Sequence, residues 1–284
     1  MILVSGASGL IGSALMRFLT TDNEVTGFSS QAGGRNIVQC DVRNFDELKK
    51  VFLRYRPDIV IHLAGNKNLK ECQDNSARCH EVNVLGTSNI ARLSNHIGAC
   101  LIYVSSDYVF DGKNGRYCAK CYRNPQQIYG HTKLAAEDIV TSYGGIICRT
   151  SGVYDLGPRR STFLQFVLRE LQHNRRLDLW VDLFNSPTYL PDFCAGLARL
   201  IKFKTPGIYH LCGPDRISRF SFGVQIANAF GLDTALLNAR SGQDEEPLRP
   251  LDLSLDSGDT TRLLGSQMNS VATALSILSS KDYT

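Results

Sequence analysis

The 284-residue sequence lacks the features typical of membrane, secreted and nucleic-acid-binding proteins. No apolar run approaches the roughly 18 residues that a transmembrane helix needs. Met1 leads directly into a short apolar run and a glycine turn, without the basic and apolar regions of a signal peptide. Basic and acidic residues nearly balance, 31 against 27, which gives no support for a basic nucleic-acid-binding face. We therefore expect a cytoplasmic protein whose partners include neither a membrane nor a nucleic acid.

The nine cysteines are odd in number and scattered, which argues against a disulfide framework and for reduced thiols. Cys118 and Cys121 have C-x-x-C spacing, but no second pair lies at a spacing suited to zinc, and loop thiols are the simpler interpretation. The six histidines include no H-x-x-x-H pair. No metal site is predicted.

Short apolar runs alternate with helical stretches in the first half of the chain. The runs are unbroken, as in residues 59–63, which is typical of strands buried on both faces of a parallel sheet. The pattern predicts an α/β fold with helices on both faces of that sheet. Beyond Thr150 the alternation loosens. We expect residues 1–150 to form one domain, and residues 151–284 a smaller mixed lobe with some segments returning to the first and a substrate cleft between the two.

A glycine-rich turn follows the first predicted strand and opens the first predicted helix. Its sequence is G-A-S-G-L-I-G, a G-x-x-G-x-x-G run. Glycines let the backbone turn sharply and approach a pyrophosphate, and the helix N-terminus offers it N–H groups and the positive end of a dipole. We therefore predict that a dinucleotide cofactor binds here. The predicted contacts are Gly6, Ser8, Gly9, Leu10, Ile11 and Gly12.

The second predicted strand lacks the acidic residue that usually holds the ribose of NAD. Its end carries Ser29 and Ser30, with Arg35 nearby, and hydroxyls with an arginine accommodate a 2′-phosphate. We therefore predict NADPH as the cofactor, with NADH as the alternative. Asp41 and Val42 follow the next apolar run and are expected along the adenine; a carboxylate that caps its own loop is the alternative for Asp41.

Tyr129 and Lys133 are four residues apart in a predicted helix and therefore share one face. A lysine cation beside a phenol favours the phenolate and lowers the phenol's pKa. The tyrosine can then exchange a proton with a carbonyl or carbinol oxygen near neutral pH. Upstream, the strand predicted over 101–104 ends in a Ser-Ser-Asp segment, at the edge where α/β sheets place their ligands. A serine there can hydrogen-bond the same oxygen and hold it for hydride attack.

Three segments carry a resemblance to a known family: residues 6–12, 105–112 and 129–137. They resemble the extended short-chain dehydrogenase/reductases, and among these the dTDP-4-dehydrorhamnose reductase group. The resemblance implies a Rossmann-type, doubly wound parallel sheet with a smaller C-terminal α+β substrate-binding lobe. The catalytic roles that it implies are Ser106 as the hydroxyl partner, Tyr129 as the acid and base, and Lys133 as activator of the tyrosine and ribose ligand.

The same resemblance implies contacts around these three catalytic side chains. Cofactor contacts are implied at Leu63, Ala64, Gly65, Tyr129 and Lys133, and sugar contacts at Ser106, Tyr108 and Tyr129. Arg249 matches a family position and would bind the substrate pyrophosphate, for which the pairs at 159–160 and 175–176 are alternatives. Gly152 departs from the family, which usually has a tryptophan there that contacts the sugar, so the identity of the hexose stays open.

The implied reaction is NADPH-dependent reduction of the 4-keto group of a nucleotide-linked 6-deoxyhexose. The reaction that best matches the resemblance converts dTDP-4-dehydro-L-rhamnose to dTDP-L-rhamnose. The resemblance is also compatible with a homodimer. A nucleotide-sugar epimerase or 4,6-dehydratase is disfavoured, because Tyr108 stands where the dehydratases carry a glutamate. A regulatory subunit resembling the methionine adenosyltransferase beta subunit is a further alternative, because that relative also keeps the serine, tyrosine and lysine.

Overall fold

The computed structural model describes residues 1–31, 34, 36–157, 162–242, 250–265 and 267–280. Its strands are β1 (Ile2–Ser5), β2 (Val25–Ser29), β3 (Ile37–Gln39), β4 (Ile59–His62), β5 (Cys100–Ser106), β6 (Ile146–Thr150), β7 (Val153–Tyr154), β8 (Leu177–Trp180), β9 (Phe184–Asn185), β10 (Thr188–Tyr189), β11 (Gly207–His210), β12 (Ile217–Ser218) and β13 (Leu237–Arg240). Its α-helices are α1 (Leu10–Leu19), α2 (Phe45–Tyr55), α3 (Leu69–Asp74), α4 (Ser76–His80), α5 (Gly86–Ile97), α6 (Ile128–Ser142), α7 (Phe163–Gln172), α8 (Leu190–Phe203), α9 (Arg219–Ala229), α10 (Gly258–Leu264) and α11 (Val271–Ser279). A π-helical segment, Glu81–Leu85, joins α4 to α5, and 3₁₀ turns cover Asp107–Val109 and Thr234–Leu236.

Seven parallel strands form the central sheet in the order β11-β6-β5-β4-β1-β2-β3. The order runs outward from β1 in both directions, so the carboxyl ends of β1 and β4 meet at a topological switch point. Ser5 and His62 stand side by side there. This is the Rossmann-type, doubly wound arrangement, and the α/β fold class expected from the sequence is confirmed.

Each face of the sheet has its own apolar core, because alternate strand residues point to opposite faces. On one face Val4 packs in a cluster with Leu15 of α1 and Phe193 of α8. On the other face Leu3 packs in a cluster with Leu48 of α2. Burial on both faces explains why the strands are unbroken apolar runs in the sequence.

Part of the chain after residue 150 returns to the central sheet. β11 is an edge strand of it, with Gly207 paired to Ile146. Other segments build a separate cluster in which Leu164 of α7, Phe222 of α9 and Val271 of α11 pack together. The strand pair β8 and β13 is parallel and belongs to this smaller layer.

α6 has 15 residues and is the longest helix in the described part of the chain. No helix among the described residues combines the length and apolar composition needed to cross a membrane.

α6 packs against β5 and the 3₁₀ turn that follows it. Gly130 permits this approach, because a Cβ there would lie 2.2 Å from the carbonyl oxygen of Tyr108. The first turn of α6 is thereby held at the carboxyl end of β5.

Candidate active site

The glycine turn after β1 lies against the loop after β4. Gly6 has a φ of +65°, and a Cβ at this position would stand 2.8 Å from the backbone nitrogen of Ala64. Only glycine meets both conditions without strain. The predicted cofactor residues Gly6, Leu63 and Ala64 are therefore brought together at the switch point of the sheet.

A buried chain of hydrogen bonds fixes the loop after β4. Ser5 Oγ accepts from the backbone N–H groups of Leu63 (3.0 Å) and Ala64 (3.1 Å), so its own hydrogen is directed to His62 Nδ1 at 2.6 Å. The other ring nitrogen of His62 meets Thr87 Oγ1 at 3.0 Å. Burial and the charge of Lys133 lower the pKa of His62 to about 3, so the ring is neutral and serves as a fixed link between two hydroxyls.

The amino-terminal end of α1 faces the same turn. Gly9 precedes the helix and has no side chain that could cap it, which leaves backbone N–H groups as the donors offered at this end. A Cβ on Gly12 would lie 2.3 Å from the carbonyl oxygen of Gly6, so the helix packs directly onto the turn. Leu10 and Ile11 are partly buried against the core beneath it. These features fit the pyrophosphate of a dinucleotide.

The end of β2 is linked to the glycine turn by two serines. Ser8 Oγ and Ser29 Oγ are 2.9 Å apart, and Ser30 beside them is exposed. Arg35, which the sequence places with these hydroxyls, lies outside the described residues. Ser29, one of the three groups predicted to accommodate a 2′-phosphate, is therefore linked directly to the glycine turn.

Asp41 and Val42 have structural partners of their own. The Asp41 carboxylate accepts from the Arg43 guanidinium at 2.6 Å and from the Arg43 backbone N–H at 2.9 Å, and this hydrogen bonding lowers its pKa. Val42 is 6% exposed, and its side chain occupies the space over Gly86. Asp41 thus has the loop-capping arrangement that the sequence left as an alternative, and Val42 is packed in the core.

Lys133 is buried next to the carboxyl end of β5. Its Nζ donates to the carbonyl oxygen of Val104 at 2.8 Å and lies 4.2 Å from the centroid of the Tyr103 ring. Burial lowers the pKa of Lys133 to about 7, and the negative charge of Glu137 opposes the fall. The ammonium group is therefore poised to lose its proton near neutral pH.

Tyr129 stands at the first turn of α6 with its ring edge against Tyr108, the centroids 5.5 Å apart. Burial raises the pKa of Tyr129, the charge of Asp107 adds to the rise, and a hydrogen bond with Ser106 opposes it. The sequence predicts that Lys133 lowers this pKa, but here burial outweighs any such effect. Tyr129 is therefore protonated at neutral pH and available as an acid.

A buried carboxyl connects Ser106 to the second half of the chain. Ser106 Oγ donates to Asp107 Oδ1 at 2.7 Å, and Ser151 Oγ donates to Asp107 Oδ2 at 2.5 Å. All three side chains are at most 8% exposed. Burial raises the pKa of Asp107, and the two hydroxyls oppose the rise. Sequence reasoning missed this role; the only signal was an acidic residue directly after an apolar strand and its two serines.

Asn83 is a second residue that sequence reasoning missed. Its amide nitrogen donates to the carbonyl oxygen of Asn66 (3.0 Å) and to Thr132 Oγ1 (3.0 Å), and its Oδ1 accepts from the N–H of Asn66 at 2.7 Å. Thr132 in turn donates to the carbonyl oxygen of Tyr129 at 2.8 Å. Asn83 lies in the π-helical segment, a feature often found at functional sites. Its one sequence signal is an asparagine between two valines.

The second half of α6 is held by a buried ion pair. Glu137 and Arg149 form two parallel hydrogen bonds of 2.8 and 2.7 Å, and neither side chain is exposed. Arg149 also donates to the carbonyl oxygen of Ala119 at 3.1 Å. The pair ties α6 to β6 and to the loop that contains Cys118 and Cys121.

The cysteines differ in part from the sequence expectation. Cys118 and Cys121 are free, and the Cys118 backbone N–H donates to Cys121 Sγ at 2.9 Å, as in a loop. The sulfurs of Cys72 and Cys79 are in bonding contact, with Cα atoms 5.1 Å apart. The expectation of reduced thiols is therefore wrong for this pair, whose sulfurs are brought together by the turn between α3 and α4.

Tyr108, for which the resemblance implies a sugar contact, is placed beside Tyr129. Gly152 has a φ of +49°, and a Cβ there would lie 2.7 Å from the side-chain nitrogen of Asn185. Arg249 and the pair at 159–160 lie outside the described residues. Arg175 is exposed and pairs with Glu170 at 3.1 Å, as expected of a solvated face.

A Rossmann-type sheet with Ser106, Tyr129 and Lys133 gathered at the carboxyl end of β5, beside a glycine turn, defines an oxidoreductase of the short-chain dehydrogenase/reductase class. The family model described as "RmlD substrate binding domain" matches residues 1–280. The chain belongs to this family, and the family resemblance expected from the sequence is confirmed.

Three similar proteins illustrate the range of the family. The chain is 30% identical to the spore coat polysaccharide biosynthesis protein SpsK of Bacillus subtilis, over 84% of this chain and 82% of that one. It is 27% identical to methionine adenosyltransferase 2 subunit beta of Bos taurus, over 83% and 74%. The crystal structure of dTDP-4-dehydrorhamnose reductase from Bacillus anthracis in complex with NADP superimposes with a TM-score of 0.88 at 26% identity, covering 98% and 97%.

Proposed function

We propose that this oxidoreductase uses NADPH to reduce the 4-keto group of a nucleotide-linked 6-deoxyhexose. The observation that carries the proposal is the placement of a protonated Tyr129 beside the buried Ser106, at the sheet edge that also holds the Gly6 turn. Reductases named as acting on dTDP-4-dehydrorhamnose among the similar structures support the substrate class. The best-matched substrate is dTDP-4-dehydro-L-rhamnose, with dTDP-L-rhamnose as product.

The chain's own residues supply binding and a proton. Bound NADPH would supply a hydride to the keto carbon. Tyr129 gives its phenolic proton to the keto oxygen as the negative charge develops there. Ser106 lies within reach of the same oxygen and steadies it, because it already hydrogen-bonds Tyr129. Lys133, held by the Val104 carbonyl, provides the positive charge that stabilises the resulting phenolate.

The preference for NADPH rests on the end of β2. The hydroxyl of Ser29, joined to Ser8 at 2.9 Å, stands where an NAD-specific site carries a carboxylate. A neutral hydroxyl does not repel a 2′-phosphate. We expect a lower KM for NADPH than for NADH, and a KM for NADH well below that for NADPH would refute this preference.

A regulatory role is the second candidate, favoured by the similarity to the bovine methionine adenosyltransferase subunit. In that case the chain would bind a partner protein and the site would serve binding alone. Co-purification with a synthetase, together with no NADPH oxidation by any keto sugar, would favour this candidate. An epimerase or dehydratase would instead convert a nucleotide sugar without consuming added cofactor.

The deciding experiment is a panel of 4-keto nucleotide sugars assayed with NADPH and with NADH. NADPH consumption and the stereochemistry of the product are measured for each sugar. We expect stoichiometric NADPH oxidation with a deoxyhexose nucleotide. Absence of turnover across the panel by protein that binds NADPH would refute the proposed reaction.

A further inference from the structure

The segment formed by α3 and α4 packs beside α6 and buries two cysteine side chains. Of residues 70–81, all are exposed except Cys72 and Cys79, whose exposed fraction is 0%. α3 has six residues and α4 five, lengths at which an isolated helix is not stable in water. Cys72 and Cys79 are therefore the two side chains through which this segment reaches the buried interior.

The two cysteines contact the network that holds the cofactor loop and the catalytic helix. Cys72 Sγ lies 3.7 Å from the carbonyl oxygen of Asn66, which follows the predicted cofactor residues 63–65. Cys79 Sγ accepts from the Asn83 amide at 3.4 Å and lies 3.7 Å from Thr132 Oγ1. The Cys72–Cys79 pair is therefore adjacent to the Asn83 hydrogen bonds that join the cofactor loop to the first turn of α6.

We propose that Cys72 and Cys79 form a reversible redox site whose oxidation state sets the affinity of the protein for the dinucleotide. The proposal rests on the proposed cofactor site. As a dithiol, Cys72 can donate its hydrogen to Asn66 and leaves α3 free to move away from α4. As a disulfide, the pair has no thiol hydrogens and joins the two helices covalently over a short loop.

The chemistry balances with a small-molecule disulfide, such as glutathione disulfide, as oxidant. One cysteine thiolate attacks the small disulfide, forms a mixed disulfide and releases one small thiol. The second cysteine thiolate attacks the mixed disulfide, forms the Cys72–Cys79 bond and releases the second small thiol. Two electrons pass to the oxidant, and the two thiol protons end on the two released thiols. Access comes from local opening of the short α3 helix, whose outer residues are in solvent.

The bridged state is expected to bind NADPH more tightly. A covalent link between α3 and α4 restrains the chain that follows Asn66 and so preorganises the loop against which the cofactor lies. Breaking the link returns conformational freedom to the segment. We expect reduction to weaken NADPH binding about fivefold and to change kcat by less than about twofold, because Ser106, Tyr129 and Lys133 keep their own partners.

The test compares the full chain after treatment with glutathione disulfide and after treatment with dithiothreitol. Arg78 lies between the two cysteines, so trypsin yields two peptides that remain joined in mass spectra only when the bridge is present. NADPH affinity of each form is measured by fluorescence titration. The proposal expects joined peptides and tighter binding in the oxidised form.

Two double variants complete the design. Cys72→Ala with Cys79→Ala should bind NADPH like the reduced protein and respond to neither reagent. Cys118→Ser with Cys121→Ser is the matched control and should respond as the parent does. Failure of the bridge to form, or equal NADPH affinity in the two states, overturns the redox proposal alone. Absence of NADPH binding in both states overturns the proposed function and this proposal together.

Discussion

Ser106 and Ser151 donate to opposite oxygens of a single carboxyl, that of Asp107, at 2.7 and 2.5 Å. Ser106 Oγ also accepts from the backbone N–H of Tyr108 at 3.3 Å, so the Asp107 carboxyl and this N–H together orient the hydroxyl. Ser106 ends β5, whereas Ser151 follows β6. The orientation of the candidate catalytic serine thus depends on a group from a different strand.

Asp107→Asn should lower kcat about tenfold with little change in KM, because an NH2 donor replaces one of the two oxygens and only one hydroxyl keeps its acceptor. Steady-state kinetics measure this. In a Ser151→Ala background the competing hydroxyl is gone, and the further loss caused by Asp107→Asn should shrink. Strictly additive effects of the two substitutions would contradict the arrangement.

Tyr129→Phe should reduce kcat by about 10²–10⁴-fold, the usual contribution of a positioned proton donor. NADPH affinity, measured by fluorescence titration, should stay within about twofold because the ring and its contact with Tyr108 remain. Tyr122→Phe is the matched control, since the Tyr122 side chain is 85% exposed. Near-normal turnover by Tyr129→Phe would refute its assignment as the acid.

The pH dependence should reflect Lys133, whose pKa is about 7. Its positive charge is present below that pH and is lost as the pH rises through it. We therefore expect kcat/KM for NADPH, which reports groups of the free enzyme, to fall on the alkaline side of about pH 7. Lys133→Arg keeps its charge at all these pH values, so its profile should lack the alkaline fall even if its maximal rate is lower. An unchanged alkaline limb in Lys133→Arg would assign the limb to another group.

Gly6→Ala should weaken NADPH binding and lower the free energy of unfolding. A Cβ at position 6 would lie 2.8 Å from the backbone nitrogen of Ala64, and the alanine would have to adopt a φ of +65°. Gly98→Ala is the matched control, because its φ of +73° is similar but nothing lies within 4 Å of its Cβ. Both variants should lose about 1 kcal/mol from backbone strain. Only Gly6→Ala should lose more than this in urea unfolding and lose NADPH affinity; equal effects would contradict the close approach.

Much of the fold could be predicted from local sequence patterns. Buried parallel strands are continuous apolar runs, so β1, β4 and β5 can be located from the local sequence pattern alone. The turn at Gly6 is equally local, because the glycine spacing and the flanking strand and helix lie within a few residues of one another. The Tyr129 and Lys133 pair follows from helical periodicity.

The parts of the site that were missed depend on contacts between distant residues. Ser151 is 44 positions from Asp107, and Thr132 is 49 positions from Asn83. No periodicity reports which of many serines or asparagines meet across a fold. The pKa of Tyr129 was mispredicted for the same reason: the lysine neighbour is visible in the sequence, whereas burial is a property of the whole molecule.

The backbone at Gly152 restricts which side chains this position can carry. Its positive φ excludes most side chains, and the Asn185 amide fills the space in which a Cβ would lie. A bulky aromatic residue here would therefore require changes in the backbone and at Asn185 as well. Design of an aromatic side chain at this position should therefore start from residue 185 and the local backbone, and not from residue 152 alone.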